Sequence, residues 1–174
     1  MNLSALSVEH RRYLKSEVAI NSIINAIISA LFAWLFFRGV DVIPLWGAMG
    51  MAVDLIPTVF MITLATSLIA TGMTRKKVRG GAILALPGSR SNYPFIRSWP
   101  SNIVLRSLML AFMAAVIMVP PSIGAMMALS VTEMAFPPFV IFKVVYGAIV
   151  TTLVAPGILM AALTDEVQDY RYTA

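Results

Sequence analysis

Residues 16–30 read SEVAINSIINAIISA, and residues 101–115 read SNIVLRSLMLAFMAA. At an offset of 85 they match at Ser16/Ser101, Ser22/Ser107, Ala26/Ala111 and Ala30/Ala115. Each carries a small residue at every fourth position: Ser22, Ala26 and Ala30 in one, Ser107, Ala111 and Ala115 in the other. On a helix such residues form one narrow stripe, and a stripe of small side chains lets two helix backbones approach closely inside lipid. The stretches predict two equivalent helices in contact along these stripes, at the centre of a duplicated helical hairpin.

Composition sets the surroundings of that hairpin. The chain is 59% apolar and 12% charged, about half the charged fraction usual in a soluble domain. Several apolar runs approach the roughly 20 residues that cross a bilayer as a helix. An unpaired backbone group in lipid costs several kcal/mol, so spans must be helices or a closed barrel. The runs are continuous rather than alternating, which selects helices. The expected fold class is an all-α integral membrane protein with four transmembrane helices in one membrane domain, residues 1–174. Residues 1–79 form the first hairpin half, 80–100 a surface loop, and 101–174 the second half with a polar tail.

The absence of cysteine excludes disulfides, thiolate metal sites and catalytic thiols. The single histidine, His10, precedes the first apolar run, which excludes histidine-held haem within the spans and any multi-histidine metal site. No cofactor is expected. His10, Arg11, Arg12 and Lys15 ahead of an apolar run imitate a signal peptide. The run is too long for a signal's apolar core, and no small-residue cleavage site follows it, so it reads as a span.

In chain order, residues 1–15 read as a short interfacial helix with Leu3, Leu6, Tyr13 and Leu14 towards lipid. Span one covers 17–37, with Ser16 as N-cap and Trp34, Phe36 and Phe37 as an aromatic belt. Span two covers 52–73 and ends in the basic cluster Arg75, Lys76, Lys77, Arg79. The loop at 80–100 interleaves Tyr93, Phe95 and Trp99 with Arg90 and Arg97, and reads as a segment lying on the membrane surface. Span three covers 102–128 and should kink or break at Pro120 and Pro121. Span four covers 139–163, with a bend at Pro156 and Gly157.

Basic residues collect beside the chain termini and after span two, whereas the opposite side holds only Arg38 and Lys143. Positive charge stays on the cytoplasmic side, so both termini are expected there, in a bacterial inner membrane. The net charge of +5 is thus a topology signal, not a sign of nucleic-acid binding. Arg75, Lys76, Lys77 and Arg79 are also candidates for contact with anionic lipid headgroups.

Spans two and four match at an offset of 89, through Thr63/Thr152, Leu64/Leu153 and Ile69/Ile158. The same offset makes Asp54 and Lys143 equivalent. As a pair they would offset part of the roughly 2.5–3.5 kcal/mol that a charge costs at the centre of a membrane helix. A carboxylate next to Pro57 could bind a cation or relay a proton. The plainer reading, which the positions favour, puts both at the interface, because each lies within two turns of a helix start. Glu17, Asn21 and Asn25 form a polar stripe on span one, with Arg106 as the repeat partner of Asn21 and a candidate ion-pair partner of Glu17. Such stripes either line a path or glue helices together, and the second is commoner. Thr63, Ser67, Thr71 and Thr74 edge span two, where threonines usually bond their own backbone.

No Ser/His/Asp set or paired carboxylates at one depth can be assembled, so no enzyme is expected. Two readings remain. One is a non-catalytic accessory or assembly subunit docked on another membrane protein. The other is a small oligomeric transporter or channel, with a second copy completing a path at Asp54.

Overall fold

A computed structural model describes residues 7–86, 96 and 98–172, with side chains as far as Asp165. The elements are α1 (Val8–Phe37), β1 (Val42–Pro44), α2 (Met51–Arg79), α3 (Ile103–Ala128), β2 (Glu133–Ala135) and α4 (Phe136–Tyr172). All four helices are long and apolar enough to cross a membrane, α4 through Asp165.

The first helix starts well before Ser16. The Ser7 hydroxyl caps it, accepting from the His10 backbone N–H at 3.2 Å. Residues 8–15 contain no glycine or proline, so nothing separates a surface helix from span one. Tyr13 and Leu14 turn inward instead of towards lipid: Leu14 is buried, and the Tyr13 hydroxyl bonds Thr74 Oγ1 at 2.9 Å. Leu3 and Leu6 lie outside the described residues. His10 belongs to this helix too. Its Nε2 donates to the Leu84 carbonyl at 2.8 Å, and the Ser7 hydroxyl donates to its Nδ1 at 2.6 Å.

The prolines do not interrupt their helices. Ile103–Ala128 runs continuously through Pro120 and Pro121, and α4 through Pro156. Membrane helices accept proline where neighbouring side chains re-satisfy the freed carbonyls. Just past the pair, Ser122 Oγ donates to the Met118 carbonyl at 2.6 Å, an ordinary one-turn back-bond within the continuing helix.

Two three-residue strands, unforeseen in the connecting segments, pair antiparallel in the register Val42↔Ala135, Ile43↔Met134, Pro44↔Glu133. Leu45 N donates to Thr132 O at 2.8 Å, and Phe136 N to Asp41 O at 3.1 Å, so each end of the ribbon is tied. Ile43 is fully buried beneath it. Gly39 and Gly47 turn the chain into and out of β1 with φ of 90° and 114°, values that favour glycine. Along the chain the order helix, strand, helix thus occurs twice.

The helices lie in the order α1, α4, α2, α3: α1 docks on α4, α4 on α2, and α2 on α3, while α1 and α3 share no packed interface. The expected contact between the small-residue stripes is therefore not made. The second helix of each half, not the first, lies at the centre. The stripe on α3 meets α2 instead, with Ser107 Oγ donating to Ser67 Oγ at 2.8 Å and Ala111 fully buried. On α1 the buried face is shifted by one position, to Asn25, Ser29 and Ala33, with Ser22, Ala26 and Ala30 at its edge. Gly147 of α4 makes that approach possible: a Cβ there would lie 3.2 Å from the Ser29 Cβ. Small residues permit close approach but do not name the partner.

One core cluster lies at the strand end, around Leu55, Val59 and Phe139. Phe37 joins it rather than an aromatic belt, edge-on to Phe139 with centroids 4.8 Å apart. The second cluster lies at the opposite end, where α1 begins and α2 ends. There Leu86, Ile96 and Trp99 pack against Leu159 and Leu163, so the described flanks of the 80–100 loop enter the core. Residues 87–95 and 97, including Arg90, Tyr93, Phe95 and Arg97, lie outside the described residues.

Candidate functional site: the charged seam of the bundle

The seam between α2 and α4 carries an enclosed ion pair. Asp54 sits in the first turn of α2, Lys143 two turns into α4, and the two helices lie side by side. Lys143 Nζ donates to Asp54 Oδ2 at 2.5 Å and also to Thr58 Oγ1. Thr58 Oγ1 in turn donates to the Asp54 carbonyl at 2.7 Å. The Lys143 side chain is 2% exposed and that of Asp54 17%. The two residues pair inside the bundle rather than sitting separately at an interface. A helical face of aromatics runs along α4 past the pair: Phe139, Phe142 and Tyr146 stack in sequence, and the Tyr146 hydroxyl meets Ser122 Oγ at 3.0 Å.

At the opposite end the charges form two latches. In the first, Lys77 Nζ pairs with Glu17 Oε1 and lies 5.2 Å from the Tyr13 ring centroid. In the second, Asp165 Oδ2 accepts from Arg106 Nη1 at 2.7 Å and from Arg75 Nη2 at 2.8 Å. Arg106 is almost fully buried and also reaches Thr71 Oγ1 at 3.4 Å. The expected Glu17–Arg106 pair is therefore replaced by Glu17–Lys77 and Arg106–Asp165, because α1 and α3 are not neighbours. Asn21 Nδ2 turns back to the Glu17 carbonyl at 2.7 Å, and Asn25 Nδ2 crosses to Thr66 Oγ1 of α2 at 2.9 Å.

The hydroxyl edge of α2 also departs from expectation. Thr66, Ser67, Thr71 and Thr74 bond side chains of other helices rather than their own backbone. Thr63 bonds neither: its Oγ1 is buried without a hydrogen-bond partner. Of the basic cluster, Arg75 and Lys77 serve the latches, whereas Lys76 and Arg79 are exposed.

Sequence reasoning missed Asp165 as the counter-ion of Arg106, and Thr58 and Thr66 as partners. Asp165 was the findable one. It follows directly on the apolar run of α4 at the depth where an arginine begins α3. Thr58 follows Asp54 by one turn, a spacing shared by many threonines of no consequence. Chemically, the seam can hold a proton between a carboxylate and an amine. Among the described residues, no three histidine or acidic side chains gather as metal ligands. Family models, curated proteins and solved structures yield no match to this chain.

Proposed function

We propose that this chain is a non-catalytic integral membrane protein, an accessory or assembly subunit of a larger membrane complex, held with both termini in the cytoplasm of a bacterium. One observation carries the reading: the buried charges of the bundle answer one another. Asp54 meets Lys143, Arg106 and Arg75 meet Asp165, and Glu17 meets Lys77. A group that carries ions must be reachable from water in some state, whereas Lys143 and Arg106 are enclosed. The repeated helix–strand–helix order, with α1 on α4 answered by α3 on α2, supports an internal duplication about an axis along the membrane normal. The exposed apolar faces of α1 and α3 are left for lipid, another membrane protein or a second copy. Lys76 and Arg79 remain at the surface, where anionic headgroups would meet them.

A transporter or channel reading draws support from the residual exposure of Asp54 beside Pro57. Mild detergent extraction followed by native mass measurement, with ion flux in liposomes, separates the two. The accessory reading expects a heterologous complex and flux that Asp54→Asn leaves at background. A homo-oligomer whose flux is abolished by Asp54→Asn would overturn it.

A further inference from the structure

Helices α3 and α4 both pack on α2 and meet each other through side chains at two levels, Arg106–Asp165 and Ser122–Tyr146. The crevice between them has a volume of about 300 Å³, is floored by Thr63 of α2, and is lined by Leu110, Met113, Met118, Gly157 and Trp99. That volume is at the small end for ligand sites. Trp99 lies against the α4 backbone at Gly157, where an added Cβ would stand 3.4 Å from its ring.

We propose that this crevice binds a neutral, membrane-soluble quinone or aromatic ketone, whose carbonyl accepts a hydrogen bond from Thr63. Three other threonines, one buried, one half-buried and one exposed, show what Thr63 forgoes. Thr58, Thr151 and Thr152 each donate to the carbonyl one turn back in their own helix, at 2.7, 2.8 and 2.8 Å. Thr63 is 1% exposed and its hydroxyl has no partner, yet it stands on the crevice floor.

The missing partner can be narrowed by chemistry. A buried water needs two to four polar contacts, and the lining offers little beyond the one hydroxyl. An acyl chain would fill the space but carries no acceptor at this depth, roughly 18 Å along α2 from Met51. An ionised ligand would meet no counter-charge among the lining residues. A neutral carbonyl satisfies the hydroxyl. Met113, Met118 and Trp99 then favour a ring over an alkyl chain, because thioethers make favourable contacts with aromatic edges and rings stack offset or edge-on.

Menadione, a small neutral naphthoquinone, is a suitable probe. The protein would carry Trp34→Phe and Trp46→Phe, so that emission comes from Trp99 alone, and would be held in phosphatidylcholine nanodiscs. Menadione should quench Trp99 saturably. Thr63→Val, which keeps the shape and removes the hydroxyl, should weaken the apparent affinity by about 3- to 10-fold. Leu110→Phe, which fills the crevice, should abolish saturation. Quenching that rises linearly and equally in all three proteins would mean simple partitioning into the bilayer and would overturn the proposal. So would quenching of Trp99 by brominated acyl chains that menadione does not relieve, because the crevice would then hold a lipid tail.

Discussion

The two flanks of the bundle follow one plan and are sealed by different chemistry. On one flank α1 docks on α4 and is tied across to α2 by Asn25–Thr66, Tyr13–Thr74 and Glu17–Lys77. On the other, α3 docks on α2 and is tied across to α4 by Arg106–Asp165 and Ser122–Tyr146, and between those two ties the gap above Thr63 is apolar and partly empty. Leu110 and Ala155 stand at the offsets of 85 and 89 from Asn25 and Thr66. Where one flank has an amide–hydroxyl bridge, the other has two aliphatic side chains and a crevice. An interhelical hydrogen bond in lipid contributes only on the order of 0.6–2 kcal/mol.

The strongest test of this contrast is at the latches. Asp165→Leu leaves the enclosed Arg106 guanidinium without its carboxylate, and should destabilise the bundle by about 3–5 kcal/mol in detergent unfolding. The equivalent loss on the α1 flank should be far smaller. Next come the bridge and the orphan hydroxyl, which should respond with opposite signs. Thr63→Val removes a buried unpartnered group and should stabilise the empty protein by about 1–3 kcal/mol. Asn25→Leu breaks a bridge and should cost about 0.6–2 kcal/mol. A loss at both sites would show that Thr63 is already satisfied, and would remove the contrast. The smallest effect belongs to Glu17→Gln. Lys77 is 38% exposed and can turn to water, so the cost should stay within about 0.2–1 kcal/mol and shrink as salt is added.

Hydropathy made the four helices legible, and the alternation of basic residues made it clear which helix ends share a side. Both signals are summed over many residues and survive local exceptions. Helix pairing was not legible, because Ser22, Ala26 and Ala30 leave room for a close approach without saying by what. The decisive residue, Gly147, lies on another helix and resembles any glycine in a membrane span. The start of α1 was misplaced because Ser16 and Ser7 are both acceptable caps, and only the cap used at Ser7 distinguishes them. The strands were invisible because three residues flanked by glycine and proline carry no periodicity. The Asp54–Lys143 pairing was half legible. The offset made the two equivalent, but their proximity to helix starts argued for solvation. What the positions could not convey is that β1 and β2 and the aromatic face of α4 enclose that end of the seam.

The account rests on buried charges that hold the bundle together, and a double-mutant cycle across Asp54 and Lys143 tests this most directly. Unfolding free energies would be measured in one detergent for Asp54→Leu, Lys143→Met and the double variant. Asp54→Leu should be the worse single change, at about 3–5 kcal/mol, because it strands an amine that is almost fully enclosed. Lys143→Met should cost less, because Asp54 keeps some access to water. The double variant should recover most of the larger loss. Losses that simply add, with no recovery in the double variant, would show that the two groups do not depend on each other and would contradict the account.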